Sequence, residues 1–156
     1  KIMARIDSFF SVSVHLRYGD YVKIGCCIDP DYYAKAITVV LSKVRSMNIN
    51  KEVMLVVFSE DTESAQKIIK KAAPNINLIC INKKEGLTDI EEFLLMKNCD
   101  AHVISNSTFS WWAAYLSEKK PNLVVAPIIK GWIKNEWENS FFPKEWLTIE
   151  SVLKKE

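Results

Sequence analysis

The chain has 156 residues, which is enough for one domain with a hydrophobic core. Hydrophobic residues make up 49% and charged residues 26%, proportions that are typical of a globular protein and exclude a disordered or fibrous chain. The 21 basic and 19 acidic side chains leave a net charge of +2, which excludes a general attraction to nucleic acid or to an anionic membrane.

Cysteine usage and the lack of long apolar segments indicate the compartment. The four cysteines have no CxxC spacing and two are adjacent, so neither a zinc site nor a disulfide framework is predicted; they are Cys26, Cys27, Cys80 and Cys99. No apolar stretch reaches the roughly 20 residues that span a bilayer, and the first residues do not resemble a signal peptide. We therefore expect a cytoplasmic chain, with peripheral membrane association left open, and the missing initiator methionine favours a fragment.

Strands and helices alternate from the first apolar run onward. A strand is predicted over residues 12–15, and Asp29 followed by Pro30 has the N-cap pattern of a helix that continues to about Met47. The continuous apolar run over residues 53–58 is typical of a strand covered on both faces of a parallel sheet. The Asp29-Pro30-Asp31 letters also match an Asp-x-Asp metal motif, but the capping interpretation fits them better.

The alternation continues through the middle of the chain. Ser59 is predicted to cap a second helix that ends before Pro74 and buries Ala65, Ile68, Ile69 and Ala72. A third strand follows over residues 78–81, and Thr88 with Glu91 forms the capping box of a helix that buries Ile90, Phe93 and Leu94.

The last predicted elements complete an α/β fold. Residues 101–105 form a fourth strand, residues 108–118 a helix, and residues 123–126 a fifth strand that ends at Pro127. Strict alternation predicts one domain over residues 1–156 with a doubly wound parallel sheet, Rossmann-like, in the strand order 3-2-1-4-5. The remaining aromatic residues are expected to cover the sheet edge or to pack on a missing half; they are Trp132, Trp137, Phe141, Phe142 and Trp146.

Two polar segments follow the predicted first and fourth strands, residues 15–20 and residues 105–112. These strands are neighbours in the predicted order, so both segments are expected at the crevice where doubly wound sheets bind ligands. Arg17 offers a permanently charged, bidentate clamp for a phosphate, and Gly19 allows close backbone approach or a positive φ. Asn106, Ser107 and Thr108 open a helix, where free N–H groups favour an anion. The pair of segments therefore predicts a diphosphate site.

Each of these residues also has a purely structural interpretation. The Ser and Asn residues before a helix are often simple caps, Arg17 and Asp20 could form only a surface ion pair, and His15 could be a satisfied strand-end histidine. Asp61 is either a favourable first-turn acid or an acceptor for a guanine edge or a ribose hydroxyl. We interpret His102 as a packing residue, and Trp111, Trp112 and Tyr115 as core.

Three segments in the same order resemble glycosyltransferase family 11, the α-1,2-fucosyltransferases. The stretch His15-Leu16-Arg17-Tyr18-Gly19-Asp20 resembles the family's His-x-Arg-Arg-Gly-Asp, and residues 106–112 match its Asn-Ser-Thr-Phe-Ser-Trp-Trp without change. Residues 58–61, Phe-Ser-Glu-Asp, resemble the family's Phe-Ser-Asp-Asp. Because the family's enzymes are about twice as long, the resemblance implies that the chain is the carboxyl-terminal, donor-binding half of a two-domain, GT-B-like enzyme whose amino-terminal acceptor domain is absent.

The resemblance implies an activity and a set of site residues. The expected reaction is inverting transfer of L-fucose from GDP-β-L-fucose to the 2-hydroxyl of a galactoside, without a metal or other cofactor, and the expected partners are the nucleotide sugar, a glycan acceptor and the missing half. Arg17 would neutralise charge on departing GDP, with Asp20 as a second candidate catalytic residue. The expected donor-binding residues are His15, Arg17, Gly19, Asp61, Asn106, Ser107, Thr108, Phe109 and Ser110.

Tyr18 departs from the family pattern, which has a second arginine there. If that arginine pairs with the diphosphate, this chain would bind GDP more weakly or use another cation. Two alternatives to a fucosyltransferase stay open: a transferase of another nucleotide sugar, and a non-catalytic α/β interaction module. The base that activates the acceptor is unassigned, and it would lie in the missing half if Asp20 only orients Arg17.

Overall fold

The computed structural model describes residues 2–81, 86–130 and 141–154. Its elements in chain order are α1 (Ile2–Asp7), β1 (Phe10–Leu16), α2 (Gly19–Lys23), α3 (Pro30–Ser46), β2 (Val53–Ser59), α4 (Thr62–Ala72), β3 (Asn77–Ile81), α5 (Asp89–Lys97), β4 (Ala101–Val103), α6 (Thr108–Tyr115), β5 (Leu123–Ile129) and β6 (Leu147–Ser151). The six strands form one parallel sheet in the order β3-β2-β1-β4-β5-β6. The predicted doubly wound α/β fold and the order of its first five strands are confirmed.

Helices cover both faces of this sheet. One core joins α3 and α4 to alternate side chains of the central strands, such as Val12, Val14 and Leu55. A second core joins α1, α5 and α6 to the other face, where Met54 and Val56 of β2 are buried. Because both faces are covered, the central strands read as continuous apolar runs in the sequence.

Two predicted helix starts are confirmed by side-chain caps. The Asp29 side chain accepts a hydrogen bond from the backbone N–H of Asp31, with Pro30 in the first turn of α3. At α5, the Thr88 hydroxyl accepts from the Glu91 backbone N–H, while the Glu91 carboxylate accepts from the Thr88 N–H. Both caps satisfy N–H groups that a helix terminus would otherwise leave without partners.

The predicted cap of α4 was wrong by two residues. Asp61, and not Ser59, is the N-cap: its carboxylate accepts from the Ser64 N–H at 3.0 Å, while Ser59 is the last residue of β2. The four side chains predicted to face inward from α4 are buried in two cases, Ala65 and Ile69, and half-buried in the other two.

The predicted inward faces of α5 and α6 also need correction. Ile90 is 72% exposed and Leu94 45% exposed, whereas Leu95 and Met96 are buried. The sequence has apolar residues on several faces of α5, so its periodicity does not select one. On α6, Trp112 and Tyr115 are about half exposed, because the small side chains Ser110, Ala113 and Ala114 form the buried face.

The carboxyl-terminal part extends the sheet beyond the predicted fifth strand. Pro127 lies inside β5 and not at its end, opposite Ile149 of β6. Beyond Val125, β5 pairs with β6 and, within the described part of the chain, with no strand on its other side, and proline is tolerated where a strand has an open side. Trp146 is buried against Trp111 and Phe142, in a small core with Val124 and Ala126 of β5, and so packs on a face of the sheet and not over its edge. The other tryptophans of the predicted cover, Trp132 and Trp137, lie outside the described residues.

The four cysteines are all free. Within residues 2–81, 86–130 and 141–154, no helix combines the length and the apolarity that crossing a bilayer requires.

Candidate functional site

A cleft of about 390 Å³ opens at the carboxyl ends of β1, β2 and β3. Its walls come from the ends of these strands and from the first turns of α5 and α6. β1 and β4 are neighbours, and the helices that follow them, α3 and α6, lie on opposite faces of the sheet, so the topological switch point lies between these two strands. The cleft borders this point through the end of β1 and the first turn of α6. The lining residues are His15, Leu16, Arg17, Tyr21, Phe58, Ser59, Glu60, Ile81, Asp89, Glu92, Ser107, Thr108 and Phe109.

His15 enters the cleft from a ladder of buried polar pairs between β1 and β4. Ser11 donates to the carboxylate of Asp100 at 2.9 Å, and Ser13 shares a hydrogen bond with Nδ1 of His102 at 2.8 Å. His15 follows two residues later, with its Nδ1 hydrogen-bonded to Ser105 Oγ at 3.0 Å. The period of two arises because alternate side chains of a strand share one face.

Burial and the nearby Arg17 charge lower the pKa of His15 to about 3. The imidazole is therefore neutral near pH 7, so it offers hydrogen bonds and no positive charge. Its ring lies 6.0 Å from that of Phe109, which also contacts Phe93 edge-on. His15 and Phe109 thus form an aromatic part of the cleft wall.

Arg17 follows β1 and is held by two carboxylates. Its Nη2 donates to Asp20 at 3.0 Å, and its Nη1 lies 3.5 Å from an oxygen of Glu60. The guanidinium also lies 5.3 Å from the ring centre of Tyr21. The predicted Arg17–Asp20 ion pair is present, although Asp20 is exposed and is not part of the cleft wall.

Gly19 begins α2 and does not adopt a positive φ. The Glu60 carboxylate lies against it, and a Cβ built on Gly19 would overlap an oxygen of that carboxylate. Glycine at this position therefore permits close approach by the Glu60 side chain, which belongs to the loop after β2.

The first turn of α6 supplies the opposite wall. Ser107, Thr108 and Phe109 line the cleft, and Ser107 is the N-cap residue in an extended conformation. Its side chain makes no capping hydrogen bond, in contrast to the caps of α3, α4 and α5. The α6 N-terminus can therefore offer N–H groups, with the positive end of its dipole, to an anion.

Asp61 lies outside this cleft. It lines a separate cavity of about 450 Å³ between α2, α3 and α4. Hydrogen bonds from Ser64 lower the pKa of its carboxyl, as expected for a helix cap. Of the two interpretations that the sequence left open for Asp61, the geometry favours the structural one, although Asp61 acts as the N-cap of α4 and not as an acid of its first turn.

Tyr18 lines the same second cavity and is 7% exposed, with its ring edge-on to Tyr33. Its hydroxyl is buried and finds no hydrogen-bond partner among the residues that the structure describes. The residue that replaces the family's second arginine thus points away from the cleft that Arg17 lines.

Two predicted site residues near the start of α6 form hydrogen bonds with backbone groups and do not line the cleft. Asn106 donates to the carbonyl of Cys26 at 3.0 Å and thereby ties the β4–α6 loop to the loop before α3. Ser110 is fully buried, donates to the Ser107 carbonyl and accepts from the Ser105 N–H. The structure therefore brings together five of the predicted site residues in one cleft: His15, Arg17, Ser107, Thr108 and Phe109.

Acidic side chains in the cleft were not predicted. Glu60 follows β2, and Asp89 and Glu92 lie in the first turn of α5. Ligands bind at the carboxyl ends of parallel strands, and this rule placed the segments after β1 and β4 in the site. Applied to the segments after β2 and β3, it would also have predicted these three acidic residues. In the ranges that the structure describes, no three His, Cys, Asp or Glu side chains converge as metal ligands would.

Comparison with known sequences gives a family match. The model of glycosyl transferase family 11 matches residues 3–150. Alpha-1,2-colitosyltransferase of Escherichia coli is 34% identical over 152 residues, which cover 90% of this chain and 48% of that protein. The O-antigen biosynthesis glycosyltransferase WbnK of Escherichia coli is 28% identical over 145 residues, which cover 89% of this chain and 44% of that protein. The chain thus spans about half the length of the curated relatives it matches.

Comparison with solved structures finds similarity to two structures of the fucosyltransferase NodZ. The crystal structure of NodZ alpha-1,6-fucosyltransferase co-crystallized with GDP matches with a TM-score of 0.45 and 16% identity, over 74% of this chain and 41% of that chain. The Se-Met fucosyltransferase NodZ from Bradyrhizobium matches with a TM-score of 0.44 and 18% identity, over 74% of this chain and 41% of that chain.

Proposed function

The chain belongs to glycosyl transferase family 11, and from this premise we propose that it is the donor-binding half of a transferase that moves L-fucose from GDP-β-L-fucose to the 2-hydroxyl of a galactoside. The cleft at the carboxyl ends of β1, β2 and β3, closed on one side by the first turn of α6, is the proposed donor site. The acceptor domain is proposed to face this carboxyl edge of the sheet, as in a GT-B-like enzyme.

The observation that carries the proposal is the pairing of Arg17 with the α6 N-terminus across one cleft. Arg17 brings a permanently charged guanidinium that Asp20 holds at the cleft wall, and the first turn of α6 offers N–H groups that no side chain caps. Ser107 and Thr108 add two hydroxyls on the same wall. Together these groups can hold the two phosphates of a nucleoside diphosphate without a metal ion.

Charge development in the reaction explains why these groups would be catalytic. When the bond between the sugar and the β-phosphate breaks, GDP leaves with an additional negative charge. A guanidinium and helix N–H groups that are already in position stabilise this charge without reorganisation. Asp20 acts in this scheme as a positioning residue, because it fixes Arg17 through Nη2.

The guanine base of the nucleotide is proposed to bind on the α5 side of the cleft. Asp89 lines this side, and its carboxylate can accept hydrogen bonds from the N–H groups of a guanine edge. It takes the role that the sequence suggested for Asp61, which lines the second cavity instead. Phe109 and the neutral His15 would flank the nucleotide, since both rings lie in the wall.

Colitosyl transfer is a second candidate, because the chain is 34% identical to a relative named as an alpha-1,2-colitosyltransferase. Colitose is fucose without its 3-hydroxyl, so the two donors share the diphosphate and the direction of attack. In either case the proposed acceptor is a bacterial surface glycan, in line with the O-antigen name of the second relative.

Calorimetric titration of the 156-residue chain with GDP, in the presence and absence of EDTA, tests the donor site. We expect GDP to bind more tightly than UDP, with no effect of EDTA. Arg17→Ala is expected to weaken GDP binding more than tenfold, as the loss of a charged, bidentate contact is worth about 1.5–3 kcal/mol.

Arg45→Ala is the matched control, because Arg45 is exposed in the last turn of α3, at the other end of the sheet. It should leave GDP binding unchanged. Equal binding of GDP and UDP would argue for another nucleotide sugar, and no binding of either nucleotide would favour a non-catalytic module.

A further inference from the structure

Glu60 pairs with the same guanidinium that the proposed function assigns to a phosphate. We propose that Glu60 is an internal competitor for Arg17: a diphosphate binds by displacing the Glu60 carboxylate, and this exchange excludes weakly bound anions from the cleft. The inference rests on the proposed function in taking the incoming anion to be the diphosphate of a nucleotide sugar.

The two carboxylates that hold Arg17 are not equivalent. Asp20 contacts Nη2 at 3.0 Å from outside the cleft wall, within the same short segment of chain. Glu60 contacts Nη1 at the longer distance of 3.5 Å and is itself part of the wall. The longer, cleft-side ion pair is the one that an anion entering the cleft can replace, while Asp20 keeps the guanidinium in place.

Gly19 provides the room that Glu60 needs. The Glu60 carboxylate occupies the position that a Cβ at residue 19 would take. Gly19 has no positive φ, so its backbone conformation does not itself require glycine. The absence of a side chain at position 19 instead permits the Arg17–Glu60 contact.

The surrounding charges determine which anions can make the exchange. Asp89 adds another carboxylate to the wall, and Arg17 is the one basic side chain among the described lining residues. An anion must therefore gain contacts with Arg17 and with the α6 N-terminus together to offset the repulsion. A pyrophosphoryl group can make both contacts, whereas a single phosphate makes one at a time.

Inorganic pyrophosphate is the probe that tests this exchange without the nucleoside. Titration calorimetry would compare the 156-residue chain with Glu60→Gln, Gly19→Ala, the double variant and Asp89→Asn. We expect Glu60→Gln to tighten pyrophosphate binding about threefold to fivefold, the range expected for removal of a partly exposed ion pair. Gly19→Ala should give a similar gain by moving the carboxylate away, and the double variant should gain no more than Glu60→Gln alone.

Asp89→Asn measures the gain from removing a cleft charge that is not paired with Arg17. A gain for Glu60→Gln no larger than that for Asp89→Asn would overturn the proposal, as would a failure of every variant to bind pyrophosphate. Circular dichroism would check the fold of each variant, and if Gly19→Ala does not fold, the comparison of Glu60→Gln with Asp89→Asn decides alone. A gain at Glu60 together with equal binding of GDP and UDP would support the exchange and refute the proposed guanosine donor.

Discussion

At the scale of single residues, the polar ladder between β1 and β4 contains two histidines with low basicity. His102 is fully buried and His15 is 7% exposed, and burial lowers the pKa of each to about 3. His102 fulfils the predicted packing role, with one ring nitrogen bonded to Ser13. Both imidazoles must therefore stay neutral for the sheet to remain folded at neutral pH.

This predicts a loss of stability on mild acidification. A histidine whose pKa is lowered by folding has no effect on stability above about pH 6.5, because it is neutral in both states. As the pH drops from 6.5 toward 3, the unfolded state binds a proton that the folded state does not, so the free energy of unfolding falls. Between pH 6 and pH 5 the two histidines together should lower the free energy of unfolding by roughly 2–3 kcal/mol. Urea denaturation at several pH values, followed by circular dichroism, would measure the slope.

His102→Gln supplies the control, because it should reduce that slope to about half its value, whatever the stability of the variant at pH 7. The pH window avoids the carboxyls of Asp61 and Glu91, because their lowered pKa values make their contributions to stability decline only as the pH falls below about 4.5. An unchanged slope in His102→Gln would contradict the assignment of the acid sensitivity to the ladder.

At the scale of elements, the helix N-termini divide into structural and ligand-facing ends. Asp29, Asp61 and Thr88 cap α3, α4 and α5 with their own side chains, whereas Ser107 does not cap α6. A cap satisfies the N–H groups that an anion would otherwise use. The α6 N-terminus is therefore the one of these four that is suited to a phosphate, and it lies in the cleft.

Substitutions of Asp61 test whether the start of α4 has a structural role and no role in ligand binding. Asp61→Ala should lower the free energy of unfolding by about 1 kcal/mol through loss of the α4 cap, and Asp61→Ser should restore most of it, because serine is also a good cap. Neither change should alter the ratio of GDP to UDP affinity, since Asp61 lines the second cavity. Urea denaturation and calorimetry measure the two effects, and a lost preference for GDP in both variants would restore Asp61 to the donor site.

Single elements were predictable where their sequence signal is local and has one explanation, whereas the strand order came from the common doubly wound topology and the cap of α4 was misplaced. The apolar run of β2 and the Thr88–Glu91 capping box each have one structural explanation. The strand β6 was missed although its side chains alternate between half-buried and exposed, as an edge strand's do. It was missed because the residues after Pro127 were interpreted together as an aromatic cover and not searched for a further strand.

The site was less predictable than the fold, because side-chain direction depends on packing. Asp61 and Glu60 are adjacent, yet one caps α4 and the other reaches Arg17. Tyr18 and Arg17 likewise point into different cavities. Sequence motifs place such neighbours at the correct edge of the sheet, but the packing of α2 and α4 determines which of them lines the cleft.

At the scale of the whole molecule, the cleft offers groups for binding and few for catalysis. Arg17 and the α6 N-terminus can hold a diphosphate, but acceptor activation needs a base in hydrogen-bond reach with a suitable pKa. His15, with its pKa at about 3, is too weak a base near neutral pH, and Asp20 is engaged with Arg17. Holding the acceptor hydroxyl and excluding water would require a second wall facing the carboxyl edge of the sheet.

We therefore predict that the 156-residue chain binds GDP but transfers fucose at least about a hundredfold more slowly than family members of twice its length, because positioning of the acceptor alone commonly supplies factors of this size. The measurement is GDP release from GDP-fucose with and without a galactoside, with Escherichia coli alpha-1,2-colitosyltransferase and its own donor as the reference reaction. GDP release without an acceptor would show that the chain activates the donor and that water, not a galactoside, attacks the fucosyl group. Transfer at the rate of the reference enzyme would mean that one wall suffices, and that the base lies among the carboxylates of this cleft.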